Sequence, residues 1–252
     1  MKIITLNMAG RNNFGGDFQQ RMRDVAVFLD KEQADVVCLQ EVSFTKGQSL
    51  ADRVNDMMNN AYPSVLAQMS DNCAFGKLGE KFERFRKKWD AGLVEHDGGY
   101  VSDGMAILSR EPIMKSSSII LKPAPVAEDG RPDYRVRLAQ IVRLESGLSL
   151  ANVHFASNSN SYVQLRELLE YTNPDVITGD FNIHTWNLKK YSDIWDAKYR
   201  ESTDFRDYVS FPKENATFDH MLLGEGWEFE KIEKYDGISD HSAMIFTINR
   251  AS

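Results

Sequence analysis

Val176-Ile177-Thr178-Gly179-Asp180-Phe181-Asn182 is the stretch from which the rest of this chain can be read. An apolar run ends in a glycine, then presents a carboxylate and, two residues on, a carboxamide. Side chains alternate along a strand, so Asp180 and Asn182 are expected on one face at a strand's end. A second stretch, Gly237-Ile238-Ser239-Asp240-His241-Ser242, sets an acid beside an imidazole ahead of the apolar run Ala243–Ile248. Carboxylate, carboxamide and imidazole groups aligned in this way suit a hard divalent cation and a phosphate bound to it.

The same arrangement recurs along the chain. Asn7, Glu41, Asp103, His154 and Asp219 each follow, precede or interrupt an apolar run, in I-I-T-L-N, V-V-C-L-Q-E, D-G-M-A-I-L, L-A-N-V-H and F-D-H-M-L-L. Any one of these polar residues could simply end a strand through turn chemistry. Their regular recurrence, with G-D-F-N and S-D-H both present, points to one shared site. Strands are expected at 2–8, 35–40, 63–69, 105–109, 118–122, 134–144, 148–155 and 175–178, with two last strands near 218–223 and 243–248. Phe18, Met22, Val25 and Leu29 recur at helical spacing, and 48–61 and 163–171 also read as helices. Strands outnumber helices and several are apolar on both sides, which suggests two packed sheets with helices outside.

The chain has 252 residues, 42% hydrophobic and 27% charged, with no linker, repeat or break in composition, so residues 1–252 read as one domain. A formal charge of −7 argues against a protein that coats nucleic acid nonspecifically, though a local basic groove remains compatible with it. Cys38 and Cys73 make no disulfide framework, and Cys38 reads as a packed free thiol. The N-terminus lacks a secretory apolar core and no run is long enough to span a membrane, so a cytoplasmic protein without stable membrane association is expected.

Taken in order, these motifs resemble the endonuclease/exonuclease/phosphatase superfamily, the deoxyribonuclease I-like phosphoesterases, from Leu6-Asn7 to Asp240-His241. The resemblance implies an α/β four-layer sandwich, two packed and mostly antiparallel sheets flanked by helices, with the active site at one end. It implies Mg²⁺- or Mn²⁺-dependent cleavage of a phosphate ester. Glu41 would be the principal metal carboxylate, with Asn7 and Asp240 beside it. Asp180 would orient or deprotonate the attacking water, and Asn182 would bond a phosphate oxygen or that water. His241, fixed by Asp219, would contact the scissile phosphate. His154 matches the family's second histidine, with Asp103 in the place of its acidic partner. His220 should point to the opposite face and pack there, while His184 and His96 read as solvated.

Departures from particular branches narrow the substrate. Apurinic endonucleases typically follow L-Q-E with Thr-Lys, where this chain has Val42-Ser43. Inositol polyphosphate 5-phosphatases usually carry Arg at the position held here by His184. L-Q-E-V, S-R after A-I-L, and S-F-P ahead of F-D-H look more like the branch of tyrosyl-DNA phosphodiesterases and neutral sphingomyelinases. That branch commonly has Arg or Ile before the final Asp, where this chain has Phe218. Residues 77–88 carry six basic and two acidic side chains, with Phe82, Phe85 and Trp89 spaced for an amphipathic helix. That helix reads as an ordinary solvated surface or as a contact for phosphates or an anionic surface. Arg135 and Arg137, with Arg131 nearby, read as substrate-phosphate contacts or surface ion pairs. The expectation is a monomeric phosphodiesterase acting on nucleic acid or a nucleic-acid adduct. Its rivals are a phosphomonoesterase, a sphingomyelinase-like lipid head-group phosphodiesterase and a non-catalytic binding module.

Overall fold

The structure, a computed structural model, describes residues 1–9, 17–45, 48–69, 102–121, 137–156, 161–195 and 197–251. Two sheets pack face to face. The first contains β1 (Lys2–Asn7), β2 (Val36–Thr45), β3 (Gln48–Ser49), β4 (Ser64–Met69), β5 (Ser102–Ser109), β12 (Trp227–Tyr235) and β13 (Ala243–Arg250), in the order β12-β13-β1-β2-β5-β4 with β3 on β2. The second contains β6 (Ile113–Leu121), β7 (Arg137–Leu144), β8 (Ser149–His154), β9 (Val176–Asp180), β10 (Tyr199–Glu201) and β11 (Asp219–Gly224), in the order β10-β11-β9-β8-β7-β6. Each sheet has one parallel pair, β1 with β2 and β8 with β9, among otherwise antiparallel neighbours. Two sheets with helices on their outer faces make an α/β sandwich, as the resemblance implies.

Three apolar clusters make the layers. Helix α1 (Phe18–Glu32) buries Phe18, Met22, Val25 and Leu29 with Ile4, Leu6, Val37 and Leu39 on the outer face of the first sheet, joined by α2 (Leu50–Met57). Ile3, Val36, Cys38, Val176, Met221 and Phe246 fill the space between the sheets. Ala151, Val153, Ile177 and Leu222 meet α3 (Ser161–Tyr171) and α4 (Thr185–Lys190) on the second sheet's outer face. Local chemistry sets the helix starts. Asp17 caps α1 by accepting from the Gln19 amide at 2.8 Å, and Ser49 and Asp52 form a reciprocal capping box on α2. No described helix is long and apolar enough to cross a membrane.

Several elements differ from the sequence expectation. Residues 48–61 divide into the short β3 and a helix that ends at Met57. β6 begins at Ile113, before the expected 118, because its exposed Met114 and serines hide an edge strand. The expected two final strands become three. In β12, Trp227 and Phe229 are buried, but a bulge between Phe229 and Lys231 moves the next buried residue to Ile232 and breaks the alternation. Cys38 is a buried free thiol, and burial pushes its pKa up.

The inner faces carry the site. Every second residue runs from apolar to polar toward one end: Ile3-Thr5-Asn7 in β1, Val36-Cys38-Gln40 in β2, Leu150-Asn152-His154 in β8 and Val176-Thr178-Asp180 in β9. β11 runs the opposite way and contributes Asp219 at the same end, opposite Asp180. A buried amide network forms the middle layer. Gln40 donates to Thr5 Oγ1 at 3.0 Å and Asn152 Oδ1 at 2.7 Å, while Asn152 donates to the Leu39 and Ala106 carbonyls and to Gln140 Oε1. These bonds tie the two sheets together directly beneath the polar end.

Candidate active site

Asp180 is the centre of the site. Its Oδ2 accepts from Asn7 Nδ2 at 3.0 Å and lies 3.5 Å from His154 Nε2 and 3.9 Å from His241 Nε2. Its Oδ1 accepts from the Asn182 amide at 2.8 Å. The opposite ring nitrogen of His241, Nδ1, meets Asp219 Oδ2 at 2.7 Å. Donor atoms from Asp180, Asp219 and His241 all lie within 4.8 Å of one another. These residues come from β1, β8, β9, β11 and the turn before β13, so the two sheets' paired ends build the cluster jointly. Ser210 secures it from below. Its Oγ accepts the Phe218 and Asp219 amides, and its carbonyl accepts the Ser242 amide at 2.7 Å.

Burial and charge set the protonation states. Burial, reinforced by the Asp219 charge, raises the Asp180 carboxyl to about 6, against the lowering effect of His241 and Asn7. Burial pulls the other way on His241, yet the Asp219 carboxylate, with Asp180 and Asp240, lifts the imidazole to about 10. Both groups are thus raised, the carboxyl toward neutrality and the imidazole into its cationic form.

Three non-glycine residues around the cluster have left-handed backbones: Ala9 (φ 47°), Glu41 (φ 50°) and Asn182 (φ 51°). Glu41 is the extra residue of a bulge, because Gln40 pairs with Met105 while Val42 pairs with Gly104. The bulge frees the half-exposed Glu41 from the alternation that buries Gln40 between the sheets. Asn182 corrects the expectation from strand alternation. β9 ends at Asp180, and Asn182 is placed by its own left-handed turn, its amide nitrogen Nδ2 donating to the Phe155 carbonyl at 2.9 Å. Gly179 lets the parallel pair close here, since a Cβ at its φ of 142° would lie 2.0 Å from the Val153 carbonyl oxygen.

Arg21 is an addition that the sequence reading did not include. It is 6% exposed and lies on the apolar face of α1, donating from Nη2 to the Ala9 carbonyl at 3.0 Å. Burial lowers its pKa, while Asp240 and Glu41 both raise it, so one guanidinium feels both carboxylates. Its Nε and Nη1 have no hydrogen-bond partner among the described residues. The signal was present in sequence: Arg21 falls between Phe18 and Met22 on the helix's buried stripe.

The remaining candidates are distributed differently. His154 meets Asp180, while Asp103 lies in β5 across from Ser43, its side chain outside the described residues. Arg137 opens β7 and is only 5% exposed, and Arg135 lies outside the described residues. The basic segment 77–88, Cys73 and His96 also lie outside them. His220 faces away from the cluster, but it is more than packing. It pairs with Glu201 at 2.8 Å, both side chains fully buried. His184 is half-buried, stacked on Trp186 and tilted against Phe218.

Two packed sheets whose strand ends gather carboxylates, amides and imidazoles define a phosphoesterase architecture. Residues 4–241 match the model of the endonuclease/exonuclease/phosphatase family, and the chain belongs to that family. Its members are metal-dependent phosphoesterases, and this protein is an enzyme of that class. Similar solved structures include an endonuclease/exonuclease/phosphatase family protein from Leptotrichia buccalis (13% identity, 99% of both chains, TM-score 0.69). The human Nocturnin catalytic domain with bound sulfate is 16% identical, over 100% of this chain and 93% of that one, at TM-score 0.65. TDP2 of D. rerio, complexed with single-strand DNA product, is 16% identical over 99% and 98%, at TM-score 0.64. No curated protein matches the sequence.

Proposed function

We propose that this protein is a Mg²⁺-dependent phosphodiesterase, Mn²⁺ being the alternative ion, that hydrolyses nucleic acid or a nucleic-acid adduct by in-line attack of water. One observation carries the reading: Asn7, His154 and His241 converge on a single oxygen of Asp180 at 3.0, 3.5 and 3.9 Å. Asp180 orients the water and takes its proton, a role that suits a carboxyl raised to about 6. His241 donates from Nε2 to an anionic phosphoryl oxygen, while Asp219 fixes its ring and its charge. His154 adds a second ring at the same oxygen. Asn182, anchored on Phe155 through one N–H, offers its other N–H to phosphate or water.

The donor chemistry fits a hard divalent ion. Glu41 and Asp240 are two carboxylates within the field of one buried guanidinium. Asn7 Oδ1 accepts the Ala9 amide at 3.0 Å and retains a lone pair. These three residues would hold the ion, directly or through water. When bound, it supplies Lewis-acid stabilisation of phosphoryl charge. Among the described residues, Asp180, Asp219 and His241 form another compact donor set, in which His241 Nδ1 is already engaged by Asp219.

The test is turnover of duplex DNA, single-stranded DNA, RNA, a phosphotyrosyl oligonucleotide, inositol phosphates and sphingomyelin, with Mg²⁺ and with EDTA. Nucleic-acid cleavage that EDTA abolishes and Mg²⁺ or Mn²⁺ restores is expected. Undiminished turnover in EDTA refutes the metal role, and cleavage of only sphingomyelin or phosphomonoesters refutes the substrate.

A further inference from the structure

An unbroken line of aromatic rings leads from the phosphoryl site to solvent. His241 lies 4.8 Å from Phe211, Phe211 lies 5.7 Å from Phe218, and Phe218 lies 4.7 Å from His184, all between ring centroids. His184 then stacks on Trp186 at 5.6 Å with an interplanar angle of 22°. Phe211, Phe218 and His184 are half-buried, and Trp186 is 67% exposed.

The chain delivers these rings to the rim by identifiable means. The left-handed turn at Asn182 takes the backbone out of β9, Ile183 buries itself, and His184 and Trp186 follow at the start of α4. His184 occupies the N-cap position but makes no side-chain cap bond, so its ring is committed to the stack. Phe211 and Phe218 are held across a turn by the paired Phe211 and Ala216 backbones and by the bond from the Phe218 amide to Ser210 Oγ.

We infer that the His184–Trp186 stack, with Phe218 and Phe211, is a platform for an unpaired nucleobase flanking the phosphodiester; this rests on the phosphodiesterase reading above. Nucleic acid is a polymer in which phosphodiesters alternate with planar π systems. A strand with one phosphate against His241 therefore carries its neighbouring bases along this line of rings. Bases in a duplex have both faces covered by neighbours, so a free strand or a frayed end is the form that can stack here. On α4 the exposed Lys190 places its Nζ 5.5 Å from the Tyr191 ring centroid, and Lys189 is paired with Asp204 at 2.8 Å. A bare phosphate or sugar would leave the rings without a partner.

The experiment measures binding without turnover. Wild type, Trp186→Ala, His184→Ala and Trp186→Phe are titrated in EDTA, by fluorescence anisotropy, against labelled oligothymidylate of about ten nucleotides and against an abasic phosphodiester strand of the same length. Wild type should favour the base-bearing strand by about tenfold or more, as expected for one or two stacked bases. Either alanine variant should lose most of that preference, and Trp186→Phe should keep it. Equal affinity of wild type for both strands, or a preference that survives both alanine substitutions, overturns the inference. Wild-type hydrolysis of bis-para-nitrophenyl phosphate with Mg²⁺ reports separately on the phosphodiesterase reading. Failure there refutes that reading, while the strand preference still decides this one.

Discussion

Replacing Gly179 with alanine should damage stability and catalysis together, by an amount that the local geometry sets. Gly179 pairs with Val153 across the parallel β8–β9 ladder, one step before His154 pairs with Asp180. The added Cβ would sit 2.0 Å from the Val153 carbonyl oxygen and 2.9 Å from its carbon, where ordinary contacts begin at 3.4 Å. Relief requires the strands to part by roughly 1.4 Å at the pair adjoining Asp180. A φ of 142° adds a penalty for any residue with a Cβ, of about 1–3 kcal/mol, and the forced repacking adds about as much again. A loss near 4 kcal/mol lowers Tm by roughly 8–16 °C for a chain of this size. A displacement of about an ångström between catalytic groups costs on the order of 100-fold in kcat. Gly147 gives the control: its φ is 88°, but nothing lies within 4 Å of an added Cβ, so Gly147→Ala should cost about 1–2 kcal/mol, from the left-handed backbone alone, and leave kcat alone. Calorimetry, urea unfolding and steady-state rates on the three proteins decide it. A Gly179→Ala protein with wild-type Tm and kcat, or a Gly147→Ala protein equally impaired, refutes the argument.

Asp219→Asn should move the alkaline limb of the rate profile. In the proposed mechanism, while Nδ1–H is committed to Asp219, His241 can donate from Nε2 only as the imidazolium, and Asp219 holds it so up to about pH 10. Without that charge its pKa falls toward the ordinary value of 6.5 or below; at pH 8 this alone removes roughly 30-fold of activity, and an unmoved limb would sink the assignment. Glu201→Gln tests the buried pair with His220. Burial opposes charge on both groups, but their mutual hydrogen bond wins, so His220 is raised and Glu201 lowered. The histidine's contribution is complete below its unfolded value of 6.5 and is lost as pH rises through its raised folded value. The glutamate's is complete above 4.5 and is lost as pH falls through its lowered folded value. The Tm deficit of the variant should therefore be greatest between pH 4.5 and 6.5, with a cost of about 3–5 kcal/mol. A deficit that does not vary with pH would show that lost packing, not charge, explains it.

What was legible in the sequence is what strand periodicity encodes. Inner-face positions progress from Ile3 to Asn7, Leu150 to His154 and Val176 to Asp180, and this repeated transition is visible without coordinates. It points to two packed sheets and one shared site, because a face that turns polar at every strand end needs those ends to meet; the four-layer arrangement with the site at one end was what the resemblance to the family implied. Departures from period two were not legible. β12 disappears from view because its bulge shifts Ile232 out of phase with Phe229. Asn182 follows Asp180 by two residues, yet a left-handed turn and not strand pleating places it. Glu201 and His220 pair only because β10 lies against β11. Glu41 combines both cases. Leu39-Gln40-Glu41 names the residue, but its bulge exists only through the register that β5 imposes, Met105 on Gln40 and Gly104 on Val42. Strict alternation through Gln40 would have sent Glu41 toward the α1 side with Leu39. One inserted residue in the pairing turns it away from that core, so the motif's chemistry is local while its aim belongs to a strand more than sixty residues distant.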